Sequence, residues 1–286
     1  MTKKIKLIEC SRDAMQGWKR FIPTEQKITY INSLLKVGFD TIDFGSFVSP
    51  KAVPQMADTT EVVKKLDISV PNESKLLAIV ANERGAVEAA QFEAISYLGF
   101  PFSISPTFQL KNTNSKIEES LVRVEKIKEL GDKHNKKIVV YLSMAFGNPY
   151  GDEFNEEILL HWADQVAQRN IDIVSLADTV GVASPEQVSF ACKTLISRYP
   201  DIEIGVHLHS TFQNRIEKLE AALQQGCLRF DGALKGIGGC PMAQDELVGN
   251  MDTVFMIEYF KQNHLVMNLN EDALAESLRI ASEIFV

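Results

Sequence analysis

Short apolar runs alternate with longer amphipathic stretches along the chain, and this alternation limits its possible folds more than any other feature. Eight such runs are recognisable, and most are separated by a stretch with helical periodicity. The runs are Lys4–Glu9, Asp40–Phe44, Leu76–Val80, Ile95–Leu98, Lys137–Leu142, Ile171–Leu176, Ile202–Leu208 and Leu228–Leu234. Strands that alternate with helices in this way predict βαβ units and a parallel sheet.

The residues after the first run help to decide whether this sheet is open or closed. An open doubly wound sheet usually carries a glycine-rich phosphate loop directly after its first strand. Here that position holds Ser11–Gln16, which is charged rather than glycine-rich. We therefore predict an α/β fold, a (β/α)8 TIM barrel with its active site at the C-terminal ends of the strands. Residues 1–286 are expected to form this one domain, with a C-terminal helical segment from about 265.

Local signals place the ends of several helices between the runs. Thr24 predicts the N-cap of a helix that extends to Lys36. Ser115 and Glu118 match a capping box at the start of a helix over residues 115–135. Further helices are predicted from Glu83, over Glu153–Arg169, from near Ser184, over Gln213–Gln225 and from near Asp245.

Charge, cysteine content and the N-terminus exclude several classes of protein. The formal net charge of -8 argues against general nucleic-acid binding, which needs a basic surface, although a local basic pocket can still hold an anionic ligand. The four cysteines show no CxxC spacing, so we expect reduced thiols. The apolar patch at Ile5–Ile8 is too short for a signal peptide, and no run is long enough to span a membrane. We therefore expect a cytoplasmic protein with no membrane contact.

Polar residues that end the apolar runs are the candidates for function, because catalytic groups in such a barrel lie at the C-terminal ends of the strands. They are Arg12, Asp13, Asp43, Asp178, His207, His209, Cys240 and Asn250. The pair His207 and His209 is the strongest element, because alternation along a strand points both imidazoles to the same face.

Two histidines with a carboxylate form a common divalent-metal set, although two strand-end histidines bonded to the backbone would give the same pattern. Asp13 supplies a carboxylate from the first strand, which closes beside the eighth, and Asn250 supplies a neutral oxygen. Two nitrogens and two oxygens with room for water or substrate suit Mg²⁺ or Mn²⁺ better than structural zinc. We count His207 both as a ligand and as a catalytic residue.

Two further residues have side chains suited to catalysis. Arg12, beside a predicted ligand, can stabilise a developing enolate oxygen, or it can be a surface residue or form an ion pair with Glu9 or Asp43. Cys240 lies in a Gly-Gly-Cys-Pro turn, where a thiol can act as general acid or base or be a small buried side chain.

The remaining carboxylates and cysteines are assigned more coarsely. Asp43 and Asp178 can orient a ligand or bond to substrate, or they can be structural carboxylates at the barrel top. The other three cysteines are assigned to the core: Cys10, Cys192 and Cys227.

Five segments of the chain resemble the hydroxymethylglutaryl-CoA lyase family. Ser11–Gln16 (SRDAMQ) resembles its Arg-Asp-Gly-Leu-Gln signature, and Ser46–Asp58 (SFVSPKAVPQMAD) is similar to its SFVSPKWVPQMAD segment. Ser175–Gly181 (SLADTVG), Gly205–His209 (GVHLH) and Gly236–Pro241 (GIGGCP) resemble three further motifs of that family. The resemblance extends from about residue 4 to residue 260.

The resemblance implies a TIM barrel that cleaves 3-hydroxy-3-methylglutaryl-CoA to acetoacetate and acetyl-CoA. Carried over by position, Mg²⁺ or Mn²⁺ would be bound by Asp13, His207, His209 and Asn250. The metal would grip the tertiary hydroxyl and a carbonyl oxygen of the substrate, and loss of the hydroxyl proton would expel the acetyl-CoA enolate. Arg12 would stabilise this enolate, and Cys240 would help to return a proton on a loop that closes over the site.

The chain departs from the family pattern at several positions. Ala14 replaces the glycine of the first signature, Asp43 replaces a glutamate, and Ser210 replaces the aspartate after the second histidine. The loop between Cys240 and Asn250 is one residue longer than usual. A related 3-hydroxyacyl-CoA is therefore an alternative substrate.

Three other activities fit part of the pattern. A condensing acyltransferase of the same superfamily usually has extra C-terminal domains and lacks the Gly-Gly-Cys-Pro loop. A pyruvate-type aldolase would not need the SFVSPK segment, and a non-catalytic metal-binding barrel would not need Arg12 or Cys240. The lyase interpretation leads to an acyl-CoA thioester as the partner molecule and a homodimer as the commonest assembly. Leucine degradation, ketone-type metabolism and other pathways are all compatible with it.

Overall fold

The computed structural model describes residues 4–68, 74–239, 248–265 and 267–286. Eight parallel strands form a closed barrel in which each strand pairs with the next and β8 pairs with β1. The strands are β1 Lys6–Glu9, β2 Thr41–Ser46, β3 Lys75–Ile79, β4 Ile95–Ser103, β5 Lys137–Ser143, β6 Ile173–Ala177, β7 Glu203–His207 and β8 Arg229–Gly232. The predicted (β/α)8 TIM barrel is confirmed.

Helices connect the strands and cover the outside of the barrel. They are α1 Ser11–Gln16, α2 Thr24–Leu35, α3 Thr59–Lys65, α4 Glu83–Ala90, α5 Pro106–Thr113, α6 Ile117–Lys133, α7 Glu156–Ala167, α8 Pro185–Arg198, α9 Arg215–Gln224, α10 Thr253–Gln262 and α11 Glu271–Ile284. Their apolar faces pack on the sheet in the main hydrophobic core. A second, smaller apolar cluster of alternate strand residues fills the barrel interior, formed by Leu77, Ile79, Tyr97, Val139, Tyr141 and Ile173.

Two predicted helix caps are wrong, because other contacts recruit the side chains concerned. Thr24 is the first residue of α2 rather than its cap, and its hydroxyl donates to Asp58 (2.8 Å). Ser115 bonds to the Ser120 hydroxyl (2.8 Å) instead of capping α6. Glu119, one residue later than the predicted Glu118, accepts from the backbone N–H of Lys116 (2.9 Å).

The structure also moves several predicted boundaries. β4 extends to Ser103 rather than Leu98, because it pairs with β5 along its length despite the strand breakers Gly99 and Pro101. The helix start predicted near Asp245 lies outside the described residues, and α10 begins at Thr253, where the Asp252 side chain caps it. Three shorter helices, α1, α3 and α5, were not predicted, since six to eight residues show little periodicity.

A buried glutamate at the end of β1 holds the connection that leaves β8. Glu9 is fully buried, and it accepts hydrogen bonds from the Leu234 N–H (2.9 Å) and the Thr253 hydroxyl (2.6 Å). Burial raises the pKa of Glu9 from 4.5 to about 8, although both hydrogen bonds oppose this rise. Because the folded state binds the extra proton, stability is lost as pH rises from about 4.5 to about 8.

Glu9→Gln is therefore expected to stabilise the protein at pH 8 but not at pH 5. The amide retains an acceptor for Leu234 and a donor for Thr253, and it carries no charge to desolvate. The difference in free energy of unfolding between variant and wild type should grow with pH by on the order of 4 kcal/mol over this window. Urea unfolding of both proteins at both pH values measures this difference in free energy. A difference that does not change with pH would contradict the proposed cost of burying the charged Glu9 carboxylate.

Candidate metal and active site

Three side chains that each carry a potential metal-ligand atom meet at the C-terminal end of the barrel. Asp13 lies on α1 directly after β1, His207 ends β7, and His209 follows two residues later. One ligand atom from each lies within 4.8 Å of the others, and all three residues are buried. Asn250 joins them from the segment that returns after β8, through a bridge between its backbone and that of His209.

The two imidazoles are oriented so that their Nε2 atoms converge. The Nδ1 atom of His207 lies 3.2 Å from a carboxylate oxygen of Asp231. His209 is hydrogen-bonded to the backbone of Val248, and its Nε2 lies 3.3 Å from Nε2 of His207. A partner on the outer ring nitrogen fixes the tautomer and direction of a metal-binding histidine, so both rings have the support that ligands need.

Asn250 provides an independent test of whether these residues fit a cation. Its amide nitrogen donates to Asp13 (2.8 Å) and to the Ile237 carbonyl (2.9 Å). Its amide oxygen is buried and has no hydrogen-bond donor among the described residues. A buried oxygen without a donor is costly, and a bound cation would satisfy it. Together with one carboxylate and two imidazoles, this oxygen completes a donor set that suits a divalent cation.

The pKa shifts leave two of these groups in the forms that bind metals. Burial and the neighbouring His207 lower the pKa of His209 to about 4, so its imidazole is neutral at pH 7. Burial opposes ionisation of Asp13, but Arg12 and the two histidines lower the pKa of this carboxyl to about 2. Burial would also lower the pKa of His207, but the hydrogen bond and charge of Asp231 outweigh it and raise this pKa.

Arg12 lies beside the cluster, fixed by two carboxylates. Nε and one terminal nitrogen donate to Asp43, and the other terminal nitrogen donates to Asp13 (2.9 Å). Despite burial, these carboxylates raise the pKa of Arg12 above its ordinary value, so it stays cationic. A guanidinium has five N–H groups, so two remain free of these carboxylates at a side chain that lines the cavity.

The two other candidate carboxylates, Asp43 and Asp178, have different surroundings. Asp43 is buried and faces Arg12, and burial raises its pKa to about 6 against the effect of that cation. Asp178 is buried between the ammonium of Lys218 (2.7 Å) and the N–H of Ala183 (3.0 Å). Neither carboxylate lines the cavity, so their predicted contact with a substrate stays a prediction.

The cysteines divide into two groups. Cys240 lies outside the described residues, so its predicted role stays a prediction. Cys10, Cys192 and Cys227 are free and buried, which confirms their assignment to the core. Cys10 nevertheless has its sulfur within 4.8 Å of ligand atoms of His207 and Asp231, a position inside the barrel that the sequence analysis missed.

A cavity of about 710 Å³ opens above the cluster. Its polar floor is formed by Arg12, Asp13, His207 and His209, and Tyr141 contributes from β5. Lys19, which follows β1, and Lys111, which follows β4, also line it. Apolar side chains also line it, among them Trp18, Phe21, Val53 and Phe108. The cavity therefore combines a polar reacting end, apolar walls and two cations, which suits an elongated anionic molecule.

Several residues around the site were missed by the sequence analysis. Asp231 orients His207, Gln16 donates to Asp13 (2.7 Å), and Lys218 contacts the His209 carbonyl (2.9 Å). Asp231 had a sequence signal, because an acidic residue inside an apolar run is unusual, and Gln16 ends the segment Ser11–Gln16 that resembles a family signature. Lys218 lies on a helix, where polar residues are ordinary, and nothing in the sequence marks it.

Gly238 allows the two oxygen-bearing ligands to approach each other. A Cβ atom at this position would lie 2.4 Å from the Asn250 amide nitrogen and 3.0 Å from Oδ2 of Asp13. Its φ of 114° also favours glycine. Gly226 has a φ of 90° as well, but a Cβ there would meet nothing within 4 Å.

Gly238→Ala is expected to weaken Mn²⁺ binding at least about tenfold, the size of effect seen when the support of a ligand is lost. Gly226→Ala is the matched control, because it imposes similar backbone strain without displacing a ligand. Titration of both variants with Mn²⁺, followed by electron paramagnetic resonance, compares them. Equal affinities would show that Gly238 does not shape the cation site.

Comparison with known proteins agrees with this geometry. The HMGL-like family model matches residues 4–280. Hydroxymethylglutaryl-CoA lyase YngG of Bacillus subtilis is 32% identical over 285 residues, which cover 98% of this chain and 93% of that protein. The human mitochondrial hydroxymethylglutaryl-CoA lyase is 33% identical over 270 residues, covering 90% of this chain and 79% of the relative.

Solved structures give the same result. The B. subtilis HMG-CoA lyase structure aligns with a TM-score of 0.91 at 32% identity, covering 98% of this chain and 93% of that one. An Acinetobacter baumannii HMG-CoA lyase in complex with coenzyme A and 3-methylmalate aligns with a TM-score of 0.91 at 28% identity, covering 99% and 92%. Because the family model covers nearly the whole chain and the curated relatives agree with it, the chain belongs to the HMGL-like family.

Proposed function

We propose that this protein binds Mg²⁺ or Mn²⁺ and carries out the reaction named in its lyase relatives. It is a lyase that cleaves 3-hydroxy-3-methylglutaryl-CoA into acetyl-CoA and acetoacetate. The observation that carries the proposed metal binding is the donor set at the barrel end. It is formed by Asp13, His207, His209 and the Asn250 amide oxygen, which accepts no hydrogen bond from the described residues. A cation bound there would polarise the substrate oxygens that it contacts, and Mg²⁺ and Mn²⁺ suit such mixed ligands.

The bond changes of this cleavage balance without an external redox partner. The tertiary hydroxyl loses its proton and becomes the ketone of acetoacetate. The bond between C2 and C3 breaks, and its electron pair remains on the thioester fragment as an enolate. A proton added to C2 then gives the methyl group of acetyl-CoA. The largest need for stabilisation is therefore at the thioester oxygen, where negative charge develops.

Arg12 is the residue proposed to meet this need. Asp43 and Asp13 fix its guanidinium from two sides, and the side chain lines the cavity with two N–H groups not used by these carboxylates. A donor held in advance stabilises charge without reorganising during the reaction. In this mechanism Asp43 orients Arg12.

The cavity accounts for the CoA part of the substrate. Its apolar walls suit a pantetheine chain, and the ammonium groups of Lys19 and Lys111 suit phosphates. The coenzyme A complex of the A. baumannii relative supports an acyl-CoA in this family fold. Cys240 is proposed to return the proton at C2, as the motif implies.

Assembly and location are proposals at a coarser level. A homodimer, one domain over residues 1–286 and a cytoplasmic location follow from the sequence arguments alone, and relatives include both mitochondrial and cytoplasmic proteins. Within the described part of the chain, no helix is long and apolar enough to cross a membrane.

Product analysis on a panel of thioesters tests the proposed substrate. With Mg²⁺, 3-hydroxy-3-methylglutaryl-CoA is expected to yield acetoacetate and acetyl-CoA in equal amounts, whereas 3-hydroxybutyryl-CoA, which lacks the 3-methyl and carboxylate groups, should react far more slowly. Preferential cleavage of another 3-hydroxyacyl-CoA would assign the substrate differently, and formation of a larger thioester from acetyl-CoA would indicate a condensing enzyme.

A further inference from the structure

Lys218 on α9 is a buried lysine outside the cluster described above. Only 1% of the residue is exposed, and its ammonium group contacts three acceptors. These are a carboxylate oxygen of Asp178 (2.7 Å), the His209 carbonyl (2.9 Å) and the Gly181 carbonyl (3.0 Å). Three N–H donors matched by three acceptors define one position for this ammonium, and a buried cation is tolerated only when it is paired in this way.

The first connection from Lys218 to the metal site runs through the backbone. The N–H of Asp178 donates to the His207 carbonyl (2.9 Å), and the ammonium of Lys218 donates to the His209 carbonyl. Asp178 and Lys218, which also form an ion pair with each other, therefore each hold the carbonyl of one histidine. The end of β7 is thus fixed on the side away from the cavity.

The second connection runs through the neighbouring loops to the imidazole. Gly181, whose carbonyl Lys218 holds, has a φ of 74°, and a Cβ there would lie 2.8 Å from the Val248 side chain. Val248 therefore packs directly against this glycine. The Val248 backbone in turn hydrogen-bonds to the His209 side chain. The contacts form a closed ring from Lys218 through Gly181 and Val248 to His209.

We propose that Lys218 is a positioning residue that fixes His209 for cation binding. It holds the His209 carbonyl directly, and it holds the His209 imidazole by way of Gly181 and Val248. This inference rests on the proposed function, because it assumes that His209 is a ligand. Asp178 serves as the counter-charge that makes a buried ammonium possible at this point. The expected signature is a loss of cation affinity that exceeds any effect of lost stability.

The test removes both charges together. Lys218→Met alone leaves the Asp178 carboxylate buried without its cation, which can prevent folding. Lys218→Met with Asp178→Asn is neutral, and the backbone N–H of residue 178 still supports His207. Lys136→Met is the matched control, because Lys136 is a buried lysine whose ammonium holds the Phe92 carbonyl (2.9 Å) beside the start of β5, at the opposite end of the barrel.

Mn²⁺ affinity is measured by electron paramagnetic resonance well below each unfolding temperature, without substrate. The double variant should bind Mn²⁺ about 10- to 100-fold more weakly than wild type, while Lys136→Met binds it normally even if it unfolds at a lower temperature. In a His209→Ala background the same pair of substitutions should have no further effect, because its action passes through His209.

Two results separate failure of this inference from failure of the proposed function. If the wild type binds Mn²⁺ and the double variant binds it with the same affinity, the role of Lys218 is overturned and the lyase proposal remains intact. A weakening that persists fully in the His209→Ala background would also overturn it, since the effect would not pass through His209. No Mn²⁺ binding to wild type would contradict the proposed cation site itself.

Discussion

Replacing Arg12 with methionine is expected to lower kcat about 10³-fold while Mn²⁺ binding is retained. Among the described residues, Arg12 is the cation that lies next to the candidate ligands and also lines the cavity. Losing a fixed donor to a developing oxyanion lowers kcat about 10²- to 10³-fold. Cation affinity should not fall, because removing a positive charge beside Asp13 reduces the competition for this carboxylate. Steady-state kinetics and Mn²⁺ titration on the same preparation measure both effects.

The control for this variant is a second buried arginine. Arg229 is almost fully buried at the start of β8, 3.7 Å from Asp40 and 3.8 Å from Glu203. Arg229→Met should lower the unfolding temperature with a much smaller fall in kcat, because Arg229 pairs with Asp40 and Glu203 and is not among the residues that line the cavity. Arg12→Met leaves the Asp43 carboxylate buried without its cation, so a second variant combines Arg12→Met with Asp43→Asn to remove this charge. Unchanged turnover in either Arg12 variant would contradict the enolate-stabilising role.

Replacing Asp13 with asparagine is expected to abolish both cation binding and turnover. Asp13 is the charged oxygen donor among the four candidate ligands, and its pKa of about 2 keeps it ionised at working pH. The amide keeps the size of the side chain but removes this charge. Mn²⁺ affinity should fall at least about 100-fold, which corresponds to about 3 kcal/mol. Calorimetric titration with Mn²⁺ measures it.

Asp172→Asn serves as the control for a carboxylate-to-amide change. The Asp172 carboxylate accepts from the N–H of Ile138 (3.2 Å) near the N-terminal end of β5, far from the ligands. Cation affinity and turnover should stay at wild-type levels in this variant. An Asp13→Asn protein that binds Mn²⁺ as tightly as this control would remove Asp13 from the ligand set.

The two replacements distinguish catalysis from cation binding. Loss of Arg12 should separate these two properties, whereas loss of Asp13 should abolish both together. Gly238→Ala and the Lys218 double variant should weaken binding without removing a ligand. This order of effects depends on the contacts of each side chain, so a different order would show which contact has been misassigned.

The sequence predicted the barrel because burial on both faces leaves a strand signal that helices interrupt regularly. It missed α1, although this short helix comes directly after β1 and carries both Arg12 and Asp13. Six residues are too few for helical periodicity to appear. The strand-end rule nevertheless found both side chains, since it depends only on where β1 ends and not on whether the next residues are helical.

Support for the site was harder to predict than the candidate ligands themselves. His207, His209, Asp13 and Asn250 were selected by residue type and position, and the structure brings all four together. The local sequence of Lys218 is that of an ordinary helix, and its burial depends on how α9 packs beside the loops after β6 and β7. The ion pair with Asp43, one of the alternatives considered for Arg12, is present, and it coexists with a position that lines the cavity.

The most direct measurement is release of acetoacetate from 3-hydroxy-3-methylglutaryl-CoA by metal-free protein as Mn²⁺ is added. We predict no turnover with EDTA, full recovery when Mn²⁺ is restored, and a half-activating concentration equal to the dissociation constant found by electron paramagnetic resonance. Turnover that is unaffected by EDTA in protein shown to be metal-free, or no turnover in protein shown to be folded and Mn²⁺-loaded, would contradict the proposed metal-dependent cleavage.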